Sequence, residues 1–113
     1  MKIIIEDKDL FEFLETGKSK KLKKYRDANW FKNGLERVLE LMTEVQRVKE
    51  LENWSFLHFE KLKDNKSGYC SVRVHNGHVE RLIFREEEDE SGEMIAYIIV
   101  ITELNTTHYG SKK

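Results

Sequence analysis

Glu60, Lys63, Arg73, Arg81, His108 and Tyr109 are the residues of this 113-residue chain whose types together could do chemistry. Cleaving an RNA backbone without a metal needs a base for the 2′-hydroxyl proton, cations for the charge that builds on the pentacoordinate phosphorus, and an acid for the leaving 5′-oxygen. A glutamate, arginines with a lysine, and a histidine cover those roles, and a tyrosine can stack a displaced base. His58, His75, His78 and His108 show neither HxxxH nor HxxEH spacing and no cysteine partner, so no metal site is expected. The six glycines open no helix in a phosphate-loop pattern, a serine triad has no signature, and no cofactor is implied.

Positioning those groups falls to the stretch from Leu57 to Arg85. Cys70, Val72 and Val74 alternate with Tyr69, Ser71, Arg73 and His75, the period of a half-buried strand, and Val79 to Arg85 alternates too. A two-residue turn at Asn76-Gly77 would mix polar and apolar residues on both faces. A three-residue loop, Asn76-Gly77-His78, instead pairs His75 with Val79, Arg73 with Arg81, Val72 with Leu82 and Cys70 with Phe84. One face then reads Cys70, Val72, Val74, Leu82 and Phe84. The other reads Tyr69, Ser71, Arg73, His75, Arg81, Ile83 and Arg85, with Arg81 exposed. Arginines directly opposite repel. Either carboxylates such as Glu80 or Glu103 neutralise a solvated face, or the pair grips phosphate, whose oxygens match planar guanidinium groups.

The remaining elements must form the scaffold. Met1 to Glu6, with three consecutive isoleucines, reads as a strand inside the sheet rather than at its edge. A helix follows, capped by Asp7 or Asp9, striped by Leu10, Phe13 and Leu14 and stopped by Gly17. The basic run Lys18, Lys20, Lys21, Lys23, Lys24 and Arg26 opens a longer helical region, in which Phe31, Leu35, Val38, Met42 and Val45 make the face that packs on a sheet. Gly34 is a candidate break there, with Asn33 capping a second helix. Trp54, Phe56 and Phe59 bring an aromatic cluster to the entrance of the sheet segment. The acidic run Glu86 to Glu90 with Ser91-Gly92 reads as an exposed hairpin loop, and Met94 to Leu104 as a central strand buried on both faces. Cys70 is a core filler.

One α+β domain over residues 1–113 is expected, in the order β-α-α-β-β-β, its antiparallel sheet packed against two N-terminal helices. Charged residues make up 36% of the chain, the net charge is −1, and no run approaches the roughly 18 apolar residues of a membrane span, so a cytoplasmic location is expected. The basic run beside an arginine-bearing sheet would make a footprint for a polyanion.

Leu62 to Val74, LKDNKSGYCSVRV, resembles the LK-x-x-x-SG-aromatic-x-S-x-R segment of the RelE/ParE superfamily of bacterial toxins, within it the YoeB and HigB branches. Arg81-Leu82-Ile83-Phe84 is similar to the family's R-L-hydrophobic-aromatic strand, His108-Tyr109 to its HY ending, and LFEFLETG at Leu10 to Gly17 to the first helix of the HigB branch. The resemblance implies a RelE-like fold and a ribosome-dependent mRNA interferase, an endoribonuclease that needs no metal. It implies Glu60 as general base, Lys63, Arg73 and Arg81 on the phosphate with Arg85 as a further RNA contact, His108 as acid, and Tyr109 orienting it or stacking a base. The partners implied are the ribosome with its mRNA, a cognate antitoxin and, with the antitoxin, operator DNA. The alternative on the same fold is a non-catalytic binding protein or a ParE-like inhibitor of DNA gyrase, also held by an antitoxin. An antitoxin segment that neutralises the cationic face is expected to be acidic, amphipathic and disordered before binding.

Overall fold

Strand β1 (Lys2–Ile5), helices α1 (Lys8–Thr16) and α2 (Asn29–Glu44), and strands β2 (Glu60–Lys61), β3 (Cys70–Arg73), β4 (Arg81–Asp89) and β5 (Ala96–Asn105) follow one another along the chain. The computed structural model describes residues 1–90, 92 and 94–107. The strands form one sheet in the order β1-β5-β4-β3-β2, antiparallel except where β1 runs parallel to β5. Both helices cover one face of this α+β fold, with Leu10, Phe13, Phe31, Leu35, Val38 and Met42 packed in one core with Cys70, Val72, Leu82, Phe84, Ile99 and Ile101.

The hairpin register is the one expected: Cys70 pairs with Phe84, Val72 with Leu82 and Arg73 with Arg81. Gly77 takes φ 88° in the loop, where a side chain would be strained. Helix α1 also forms as expected. Asp7 caps it through Oδ1, which accepts from the Leu10 amide at 3.0 Å, while Oδ2 accepts from the Leu104 amide at 2.8 Å and so ties the helix start to β5. Gly17 closes it at φ 76°. Leu14 leaves the buried stripe and stands half exposed.

Four expectations are corrected. β1 lies at the edge of the sheet, because Ile4 points to the uncovered face and only Ile3 and Ile5 pack against the core. The basic run is not helical beyond a single 3-10 turn at Lys23–Tyr25; like charges at close spacing repel along a helix, and only Leu22 and Tyr25 of its large apolar side chains are buried to hold the segment down. Glu86 to Asp89 are not loop but the far half of β4, paired with Ile99 to Ala96. The Glu86 carboxylate is compensated locally: Arg47 grips it with Nε to Oε2 at 3.1 Å and Nη2 to Oε1 at 2.9 Å while lying 3.7 Å over the Tyr97 ring. That bidentate contact, reinforced by the Val48 amide, holds the Glu86 carboxyl below its usual range.

Gly34 does not divide α2, which is the fourth correction. A Cβ there would lie 2.3 Å from the Val74 carbonyl oxygen, so the glycine lets the helix approach the end of β3. In an open helix, alanine would gain about 1 kcal/mol over glycine. Here the overlap with backbone should outweigh that gain, since forcing atoms into a filled interior costs about 1–3 kcal/mol or more. Gly34→Ala is therefore expected to lower stability by about 1–3 kcal/mol in urea denaturation; a stabilised variant would show that α2 is free to move away from β3.

Candidate functional site

Register brings Glu60, Arg73 and Arg81 to the outer, helix-free face at one end of the sheet. Arg73 and Arg81 stand directly opposite each other across β3 and β4, and Glu60 pairs with Ser71 one row away. Together with His58 and Phe59, Glu60, Arg73 and Arg81 line a shallow cavity of about 320 Å³. A larger cavity of about 560 Å³ lies against the other side of β2, lined by Arg47, Lys61, Cys70 and Glu86 among others. Its Arg47 is already neutralised by Glu86, and burial pushes the Cys70 thiol up, away from reactivity. The smaller cavity is therefore the candidate site.

Among the described residues, Arg81 has a carboxylate partner in that cavity and Arg73 has none. Arg81 is mostly buried, with 14% of its side chain exposed, which corrects the expectation that it projects into solvent; its Nη1 lies 3.4 Å from Glu60 Oε1. Neither Glu80 nor Glu103 serves the arginines. Glu80 is buried on the helix side and accepts the Tyr25 hydroxyl at 2.5 Å, while Glu103 pairs with Lys66. Burial and that hydrogen bond to Glu80 hold the Tyr25 hydroxyl well above its ordinary range. Arg73 forms no ion pair among the described residues: its Nη1 donates to the His78 carbonyl at 3.2 Å, and its Nε is buried without an acceptor. Ser71 Oγ, in the neighbouring row, is buried and has no partner among the described residues either. Buried polar groups are ordinarily bonded, so an orphaned Nε within one of two facing guanidinium groups, and an orphaned hydroxyl one row away, leave a place that an anion would suit.

A histidine that the sequence reading did not use completes the wall. His58 adopts the left-handed conformation, φ 50° and ψ 50°, unusual for a residue other than glycine. Its Nε2 lies 2.8 Å from Asn76 Oδ1, and because an amide oxygen only accepts, Nε2 is the donor in that contact. Its spacing of two residues from Glu60 was the available signal.

A similar fold occurs in a solved structure. A YoeB/ParE toxin from Agrobacterium tumefaciens superposes with a TM-score of 0.51 over 95% of this chain and 99% of that one, at 14% identity. The chain has the RelE/ParE toxin fold. No family model and no curated protein matches its sequence.

Within this RelE/ParE toxin fold, Lys63 and Arg85 fall outside the cavity. Lys63 is exposed just before the turn Asp64–Lys66 and does not line it. Arg85, farther along β4, is engaged by Glu87 and by Glu6, the latter at 3.4 Å. His108 and Tyr109 lie outside the described residues. Asn105, three residues before His108 in the sequence, is the β5 partner of Arg81.

Proposed function

We propose that this protein is the toxin of a toxin–antitoxin module and acts as a ribosome-dependent mRNA endoribonuclease. The observation that carries the reading is the pair of facing arginines, Arg73 and Arg81, at a cavity that also holds a carboxylate and a histidine. An RNA phosphate seated there replaces Glu60 on Arg81, which frees the carboxylate to take the 2′-hydroxyl proton. The 2′-oxygen then attacks phosphorus, Arg73 and Arg81 neutralise the non-bridging oxygens, and His108 protonates the departing 5′-oxygen. The products are a 2′,3′-cyclic phosphate and a 5′-hydroxyl. Lys63, exposed near β2, and Arg85 serve as outer RNA contacts, and Tyr109 orients His108 or stacks a base. The partners are the ribosome with its mRNA and an antitoxin, which together with the toxin binds operator DNA.

A net charge of −1 favours a second reading, a non-catalytic or gyrase-directed protein of the same fold, because phosphate contacts dominate affinity for nucleic acid. Ribosomes programmed with a labelled mRNA separate the two. Cleavage leaving a cyclic phosphate is expected, and a 2′-deoxy nucleotide at the cut should block it. Intact mRNA together with inhibited gyrase supercoiling would replace the nuclease reading with the second one.

A further inference from the structure

The loop joining β3 to β4 carries rings that the cleavage scheme does not use. His78 stacks face to face on Trp30 of α2, with centroids 3.7 Å apart and planes inclined by 15°. His75 meets both edge-on, 5.8 Å from Trp30 and 5.2 Å from His78. All three side chains are half-buried, each keeping part of its surface in solvent.

This group is fastened to the phosphate cavity. Arg73 donates to the His78 carbonyl, and Asn76 of the same loop holds His58 on the cavity wall. His75 follows Arg73 by two residues, at the bend where β3 ends and the loop begins. A phosphate between Arg73 and Arg81 carries a nucleoside on either side, and an unpaired base beside it must find a surface within a few ångströms. Stacked rings already fixed by a helix and by an arginine lose little freedom when a further ring is added, whereas a mobile aromatic side chain would have to be ordered first.

We propose that the Trp30–His78 stack, flanked by His75, is a base-stacking platform that receives one unpaired base of single-stranded RNA beside the phosphate held by Arg73 and Arg81. The proposal rests on the phosphate reading of the cavity and adds the substrate class, unpaired rather than duplex RNA. Stacking reads the flat face that every base has, so the platform tolerates any base and does not by itself choose a sequence.

The test uses the full chain and a ligand with a single phosphate, so that binding register is fixed. A 2′-O-methyl dinucleotide monophosphate, which cannot be cleaved, is titrated beside the same compound with one base removed, and NMR follows the Arg73 and Arg81 guanidinium signals and the rings of Trp30, His75 and His78. The intact dinucleotide should perturb both groups, with ring-current shifts at His78 and His75, and should bind roughly 5- to 100-fold more tightly than one of its two abasic forms, the range one stacked base contributes. His78→Ala and, separately, Trp30→Leu should erase that preference while the abasic compound still perturbs Arg73 and Arg81, which also shows that each variant is folded. Arginine shifts without ring shifts, or equal affinity for intact and abasic ligands, would overturn the platform and leave the phosphate site standing. No shift at the arginines would remove the phosphate reading and this proposal with it.

Discussion

Arg81→Ala is expected to lower single-turnover mRNA cleavage on programmed ribosomes by about 10²–10³, the usual loss when one preorganised donor to a developing oxyanion is removed, and to abolish growth arrest on induction. The guanidinium is held in place before substrate arrives: it is mostly buried, faces Arg73 across the ladder, and lies 3.4 Å from Glu60. Its loss should disturb the fold little. The ion pair with the largely exposed Glu60 stabilises by about 0–1 kcal/mol, and relief of the repulsion with Arg73 returns a few tenths of that. A shift in Tm of no more than a few degrees should accompany the loss of cleavage. Arg81→Lys keeps the charge and loses the planar fork, so it should recover only part of the rate. Undiminished cleavage by the alanine variant would sink the phosphate clamp, and a collapse in Tm would mean that Arg81 is chiefly structural.

What could be read from the sequence was set by range. Alternation at Cys70 to His75 and Val79 to Arg85, with one loop length that separates polar from apolar, fixed the hairpin register, because both constraints act over a few residues. β1 was misplaced since three isoleucines report burial and say nothing about which strands lie beside them. Gly34 looked like a helix break because its reason, the Val74 carbonyl, comes from forty residues away. Charge alone does not say whether the basic run or the acidic run is helix, strand or loop. Burial of Leu22 and Tyr25 decided the first, and Arg47 together with the pairing to β5 decided the second. In the site, the facing arginines were legible. The use of Glu60 rather than Glu80 or Glu103 as the Arg81 counterion was not, because it depends on β2 joining the edge of the sheet through a two-residue ladder. His58 was missed for the same reason, since its approach to Asn76 needs a left-handed residue before β2.

If cleavage proceeds by 2′-hydroxyl attack, a histidine must protonate the leaving oxygen, and the chain offers two. His108 holds that role in the RelE/ParE resemblance. His58 is on the cavity wall, but its Nε2 proton is committed to Asn76, so it acts as an acid only when Nδ1 is protonated as well. We therefore expect His108→Gln to lower the single-turnover rate by about 10²–10⁴ and His58→Gln by roughly tenfold, through looser placement of the phosphate. Glu60→Gln should match the larger loss, because the amide cannot accept the 2′-hydroxyl proton. The pH profile assigns each role independently of these magnitudes. A base must be ionised, so the rate falls on the acid side, and Glu60→Gln should flatten that limb. An acid must be protonated, so the rate falls on the alkaline side, and His108→Gln should flatten that one. Should His58→Gln instead carry the large loss and remove the alkaline limb, the acid is the histidine of the cavity wall and the role drawn from the HY ending is wrong. Unchanged profiles in all three variants would mean that no side-chain acid–base pair drives the cut.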